Sequence, residues 1–326
     1  MKLGIVVNLL GSREEGQTTY RLALAAEERG HEVWLMSAGG FTAEPDCRIR
    51  AHAQRVVVRR AGNSDELPSS LIPTDGEKSW ISVADLDVLL LRSNPVVQTP
   101  WAQHAGIRFG RLAQRCGCIV LSDPSGLMKA MNKLYLCDFP QAIQPVTLVT
   151  RSRERLRAFI AEHGTAVLKP LVGYGGRSVF LVEHGSLANL ESIVRSIARD
   201  GYVIAQQYLP AAANGDTRLF LIDGEPLQVD GHYAAFRRIR ADGDMRSNIH
   251  AGGRLRHAKV DARMLEIAAA VRPQLVEDGM FLVGLDIVGD KLIEINVFSP
   301  GGLGNASRLE KRDFTAAVIE ALERKL

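Results

Sequence analysis

Asp286, Glu294 and Asn296 fall within the short stretch "GLDIVGDKLIEINV", residues 284–297. Residues two apart on a strand share a face, so Glu294 and Asn296 project together. A hairpin turning at "VGDK" (288–291) brings Asp286 beside them. Two carboxylates and an amide oxygen are hard donors, suited to Mg²⁺ bridged to phosphate groups. The simpler alternative is a polar strand face turned to water. The neighbours are apolar, however (Val283, Leu285, Ile287, Leu292, Ile293, Ile295 and Val297). A carboxylate among them, without a partner, would bear the cost of burial, so a cleft is the better expectation.

A second stretch, "VLKPLVGYGGRSVF" (167–180), sets Lys169 before Gly173, Gly175 and Gly176. The lysine precedes the glycines, so this is not the phosphate loop that ends in Gly-Lys-Ser/Thr. The residues after the glycines, "RSVFLV", are strand-like, so it is not a dinucleotide loop opening a helix. Two readings stay open: a hairpin turn with an incidental lysine, or a flap whose N–H groups point at phosphate oxygens.

These groups need a scaffold, and the chain supplies alternating strands and helices. "LGIVVNL", "HEVWLMSA", "DVLLLRS" and "CIVLSDP" read as strands. "TTYRLALAAEERG" and a segment around "RFGRLAQRCG" read as helices between them. This alternation predicts an α/β fold with a parallel sheet covered by helices. The polar, Pro/Ser-rich region 60–80 reads as a long surface loop.

From about Lys133 the pattern changes. "TLVTRSRERLRAFIAEHG" reads as a strand edge and helix, and "SLANLESIVRSIARDG" as a helix capped by Ser186 and Gly201. "YVIAQQYL", "DTRLFLIDGEPLQV", a broken strand near "GHYAAFRR" and the hairpin 281–297 are strands. "DARMLEIAAAVRPQLVEDG" and the closing "DFTAAVIEALERKL" are helices.

At 326 residues the chain has room for two or three domains. A net charge of +3 is too mild to point to nucleic acid, and the basic stretch "AFRRIRADGDMR" is interrupted by aspartates. No run approaches the roughly 18 apolar residues of a membrane span, and "MKLGIVVNLL" is a first strand rather than a signal peptide. Cys47, Cys116, Cys118 and Cys137 lack metal-type spacing and read as free thiols in a reducing cytoplasm. His232, His250 and His257 show no partner arrangement and read as structural or surface groups. The first strand–helix unit lacks G-x-G-x-x-G, which argues against a nicotinamide-dependent oxidoreductase.

The ordered set "NKL", K-P-L-x-G-x-G-G, "AQQYLP" and D…E-x-N resembles the ATP-grasp superfamily, and within it the bacterial glutathione synthetases. The resemblance runs along the chain through "ADLDVLLLR" and "GDTRLFLIDGEP". It implies an ATP-grasp fold with an N-terminal α/β domain (1–125), a central lid (126–203) and a C-terminal domain (204–326). It further implies an ATP-dependent carboxylate–amine ligase of the cytoplasm, acting on small molecules. ATP and Mg²⁺, with Mn²⁺ as a substitute, are the implied cofactors, and homo-oligomers occur in the family.

By the same resemblance, Lys133 and Lys169 match the phosphate lysines, and Gly173, Gly175 and Gly176 the flap. Gln206, Gln207, Tyr208 and Leu209 match the adenine hinge and Asp216 the ribose-side acid. Asp286, Glu294 and Asn296 match the metal ligands. Arg218, Arg246 and Asn248 match groups facing the transferred phosphate, and Arg92 and Ser299 fall on the substrate side. After "EINV" the family pattern continues T-S-P-T, then isoleucine, arginine and glutamate. Here Phe298 and a glycine-rich "GGLGN" stand instead, as a mobile lid or a rigid turn. "MRSNIHAGG" resembles the ligases that add glutamate to a ribosomal protein. The implied substrates are γ-glutamylcysteine and glycine. The alternatives are another small acid or peptide joined to an amino acid, or a protein that binds ATP without turnover.

Overall fold

The computed structural model describes residues 1–10, 17–57, 76–99, 101–102, 104–173, 175–197, 201–239 and 253–326. The strands of the N-terminal part are β1 (Lys2–Val7), β2 (Glu32–Ala43), β3 (Ile49–Arg55), β4 (Lys78–Ser82), β5 (Val88–Leu91) and β6 (Ile119–Leu121). They form one sheet in the order β4-β3-β2-β1-β5-β6. Helices α1 (Gln17–Glu28), α2 (Ala105–Arg115) and α3 (Pro124–Lys129) accompany it. The parallel expectation holds for β2-β1-β5-β6. It fails at the edge, where β3 and β4 run antiparallel. The turn from Glu44 to Arg48 closes on itself by backbone hydrogen bonds, and a short turn can only join antiparallel neighbours. Region 60–80 is likewise not all loop: 78–82 is β4, while residues 60–75 lie outside the described residues.

The middle of the chain contains β7 (Thr147–Thr150), α4 (Arg153–His163), β8 (Thr165–Pro170), β9 (Phe180–Glu183), α5 (Leu190–Ile197) and β10 (Val203–Gln207). The antiparallel sheet order is β7-β10-β8-β9, so it extends past residue 203 to Gln207. Ser186 does not cap α5; it lies inside the 3-10 turn His184–Asn189 that precedes the helix.

The last sheet is built from β11 (Asp216–Ile222), β12 (Glu225–Pro226), β15 (Ala235–Ile239), β16 (Arg254–Arg256), β17 (Leu282–Val288) and β18 (Lys291–Asn296). Its order is β16-β15-β11-β17-β18, with β12 paired to β11, while β13 (Gln228–Val229) and β14 (His232–Tyr233) make a small ribbon. Helices α6 (Ala262–Glu277), α7 (Leu303–Glu310) and α8 (Phe314–Glu323) complete the chain. Asp261 caps α6 and Asp313 caps α8 through their side chains. The "GGLGN" stretch resolves as a turn at Gly302 (φ +96°) that opens α7.

Hydrophobic burial ties the first and last parts together. One cluster joins Val6, Leu89 and Leu127 to Leu219, Leu285 and Val297, and a second joins Leu3 and Leu22 to Phe236, Phe314 and Leu322. The middle sheet has its own core, from Leu156 and Ile160 to Val203 and Ala205.

A polar knot reinforces the first junction. Asp278, its side chain fully buried, accepts hydrogen bonds from Lys129 Nζ (2.5 Å), Tyr135 Oη (2.8 Å) and Gln274 Nε2 (3.1 Å). Burial opposes its charge, but these donors outweigh that cost and hold its carboxyl below the usual range. Gly126 packs so tightly on the Asp278 carbonyl that a Cβ there would overlap the backbone oxygen. Gly126→Ala is therefore expected to lower stability by about 1–3 kcal/mol in urea denaturation. An unchanged midpoint would mean the junction yields more easily than its packing implies.

Candidate active site

Asp216 and Arg218 alternate on β11, so both side chains leave the same sheet face. The strand register sets Asp216 opposite Arg238 on β15 and Arg218 opposite Asp286 on β17. Asp286 in turn faces Glu294 on β18, and Asn296 lies opposite Gly284. The expected hairpin therefore forms and brings Asp286, Glu294 and Asn296 to one face.

Asp286 is the centre of this row. Arg218 grips it with both Nε and Nη2, each at 2.7 Å, in the two-pronged geometry that suits a guanidinium and a carboxylate. Arg238 Nη2 approaches the same carboxylate at 2.9 Å, and Asn296 Nδ2 donates to it at 3.3 Å. Only 2% of Asp286 is exposed. Burial alone would favour the neutral acid, but the two arginines outweigh it and keep the carboxyl ionised well below the usual range. Arg238 also pairs with Asp216. Burial works against the Arg238 charge, and the carboxylates of Asp286 and Asp216 overcome it and raise its pKa.

Two lysines close over this row from the other side. Lys133 Nζ donates to the Gly173 carbonyl at 2.7 Å and lies 3.2 Å from Glu294 Oε1. Lys169, on β8, donates to Gln206 Oε1 at 3.1 Å and to the Ile293 carbonyl at 3.4 Å. The β17–β18 register slips by one residue beside Asp286, which leaves Ile293 as the extra residue of a bulge. Burial of its ammonium group drives the Lys169 pKa down to about 8, against the pull of Glu294. The glycine stretch makes the turn between β8 and β9, with Gly175 and Gly176 both at positive φ.

Gln206 sits beside Lys169, and its Nε2 donates to Thr147 Oγ1 at 3.0 Å. Gln207, Tyr208 and Leu209 lead out of the middle sheet. The N–H groups of Gln207 and Tyr208 donate to the carbonyls of Val146 and Thr165. Arg92, buried at the end of β5, donates to Thr19 Oγ1 (2.9 Å), Ser299 Oγ (3.3 Å) and the Pro300 carbonyl (3.3 Å). Arg92 and Ser299 are thus brought together. Arg218 Nη1 reaches the Gly301 carbonyl at 3.2 Å, joining this corner to the charged row. Arg246, Asn248 and His250 lie outside the described residues.

Sequence reading missed Arg238, although its place two residues after the buried Phe236 puts it on the inner face of a strand. It also missed Thr18 and Thr19, whose partners are about 280 and 73 positions away. His232 and His257 do have a partner, and a shared one: both approach the buried Glu310 carboxylate, at 3.1 and 2.8 Å.

The oxygen donors of Asp286, Glu294 and Asn296 fit a hard divalent ion. Among the described residues no group of three or more His, Cys, Asp or Glu side chains is placed to hold a metal ion, so the donor set here rests on two carboxylates and an amide. No described helix is long and apolar enough to cross a membrane, and the four cysteines are free. Because Asp286 neutralises two buried cations, Asp286→Ala is expected to cost about 3–5 kcal/mol, measured by urea denaturation. A loss under about 1 kcal/mol would show that the arginines find other partners.

Comparison with known proteins gives the family. The family model for the N-terminal domain of prokaryotic glutathione synthetase matches residues 1–127, and that for its ATP-grasp domain matches residues 132–311. The chain is 34% identical to a glutathione synthetase from Vibrio cholerae, covering 100% of this chain and 98% of that one. It is 33% identical to one from Escherichia coli K12, covering 100% and 99%. Among solved structures, the D-cycloserine synthetase DcsG superposes with a TM-score of 0.64 at 17% identity, over 99% of both chains. The ATP-grasp ligase PsnB gives 0.62 at 18% identity, over 99% of this chain and 98% of its own. On the length and level of these matches, the chain belongs to the prokaryotic glutathione synthetase family and is an ATP-grasp ligase.

Proposed function

We propose that the protein joins the cysteinyl carboxylate of γ-glutamylcysteine to the amine of glycine at the expense of ATP. The observation that carries this reading is the meeting of four cations on one hairpin: Lys133, Arg218 and Arg238 at its carboxylates and Lys169 at its Ile293 carbonyl. A donor carboxylate oxygen attacks the γ-phosphorus, ADP leaves, and an acyl phosphate forms. The amine then attacks the acyl carbon, phosphate leaves, and the nitrogen loses a proton to give the amide.

In this reading the lysines and arginines offset phosphate charge that builds as the bond to ADP breaks. Gly173, Gly175 and Gly176 let backbone approach the phosphates, and the segment 206–209 receives the base. Asp286, Glu294 and Asn296 would hold Mg²⁺, which neutralises phosphate charge when bound. Arg92 and Ser299 stand at the substrate side. The rewritten stretch after Val297 favours a second reading, in which another small acid or peptide is joined to an amino acid.

The deciding assay is ADP release with Mg·ATP and γ-glutamylcysteine, with and without glycine, with the product weighed by mass spectrometry. ADP that requires both compounds, with a glutathione mass, is the expected result. ADP released only with a different acid and amine would retire the substrate assignment and keep the chemistry. Nucleotide binding without turnover on a broad panel of acids and amines would leave a non-catalytic ATP-binding protein.

The depressed pKa of Lys169 gives a pH signature. Its ammonium group is charged below about pH 8 and neutral above, and phosphate needs the charged form. ATP affinity is therefore expected to fall about ten- to thirtyfold between pH 7 and pH 9.5. Lys169→Arg, always charged, should flatten that slope. The same slope in both proteins would place the titrating group elsewhere.

A further inference from the structure

We infer that Arg21, on α1, reads a substrate carboxylate that does not itself react, and so sets which acid or amine this ligase accepts. The inference rests on the ligase reading above. Arg21 lies against the first turn of α7, in the stretch that departs from the family pattern. A Cβ on Gly304 would fall 2.5 Å from Arg21 Nε and 2.8 Å from its Cδ. Glycine at 304 is therefore what admits this side chain.

One nitrogen of this guanidinium is buried without a partner among the described residues. Arg21 Nε is shut off from solvent with no hydrogen-bond acceptor among the described residues, while the side chain as a whole is half-buried. A buried N–H without an acceptor is costly and rare in folded proteins. The contrast with other arginines is direct: Arg29 pairs with Glu320 and Glu323, and Arg218 and Arg238 with Asp286. Arg21 is held by packing against Gly304, with its Nε donor still to be met.

Its place fits a substrate role. Thr18, one turn earlier on α1, accepts hydrogen bonds from the N–H groups of Gly302 and Leu303. Thr19 accepts from Arg92, whose other donors reach Ser299 and Pro300. Gly301 in turn accepts from Arg218 in the charged row. Arg21 is thus fixed to the same short segment, 299–304, that contacts both the substrate-side arginine and the phosphate-side arginine. A planar guanidinium there suits an anionic group of planar shape, and a carboxylate is the anion that amino acids and peptides carry. Both proposed substrates have one to spare: the glutamyl α-carboxylate of γ-glutamylcysteine and the carboxylate of glycine.

The test measures binding by titration calorimetry, with Mg²⁺ and a non-hydrolysable ATP analogue present. The probes are γ-glutamylcysteine, its glutamyl α-amide, glycine and glycinamide. Wild type is compared with Arg21→Ala, Arg21→Lys and Gly304→Ala, each first checked for an intact thermal transition. Arg21→Ala is expected to weaken one of the two acids about tenfold or more while leaving its amide unchanged and ATP affinity intact. Gly304→Ala, which displaces the guanidinium, should reproduce that loss, and Arg21→Lys should recover part of it. Whichever acid is affected identifies the carboxylate that Arg21 reads. Equal affinities of wild type and Arg21→Ala for all four probes, including no binding by either, overturn the inference. The ligase reading fails separately, if wild type binds the acids but releases no ADP with them and ATP.

Discussion

A buried carboxylate with two guanidinium partners is the constraint around which this molecule is organised. Asp286 has almost no contact with water, and an isolated charge there would cost far more than a domain's net stability can absorb. Arg218 and Arg238 solve that problem, and each then commits another segment. Arg238 must also meet Asp216, so β15 and β11 are locked in one register. Arg218 must also meet the Gly301 carbonyl, so the turn that opens α7 is drawn to the sheet. The strand pairing, the tail and the charged row are consequences of one electrostatic requirement.

The same row explains why the site suits a ligand of mixed charge. In this structure the cations rest on carboxylates: Lys133 on Glu294, the arginines on Asp286. In the proposed reading a nucleotide would bring anionic oxygens for the cations, and the metal it travels with would bring positive charge for the carboxylates. Such an exchange would keep the local charge balanced and lower the desolvation cost that either partner alone would face. An anion without a cation would leave Asp286 and Glu294 uncompensated.

Much of this was legible along the chain. Period-2 alternation in "GLDIVGDKLIEINV" was enough to place Asp286, Glu294 and Asn296 on one face, because a hairpin is local and its register is set by its turn. The Lys169–glycine stretch also declared itself, although the choice between its two readings depends on the groups lying opposite it. Hidden features were those fixed by distant partners. Arg238 sits in a run of arginines and differs from Arg237 only in which face of β15 it leaves. The Ile293 bulge has no composition signal at all. The threonines of α1 look like ordinary helix residues until the tail, far along the chain, folds onto them. His232 and His257 lacked a visible partner because Glu310 lies on a helix that the sequence reading did not separate from the turn before it.

The middle sheet shares no core residue with the rest of the molecule, whereas the outer two parts share theirs. A base built from the first and last parts thus meets a cover with its own core, and Lys133 and Lys169 are among the side chains that reach across, to Gly173 and to Ile293. Substitutions inside the core of the cover adjust how firmly it seats, and the charged row beneath keeps its partners throughout. A separate core lets the packing of the cover vary without disturbing the buried charges of the base, in a fold that solved structures of very different sequence share.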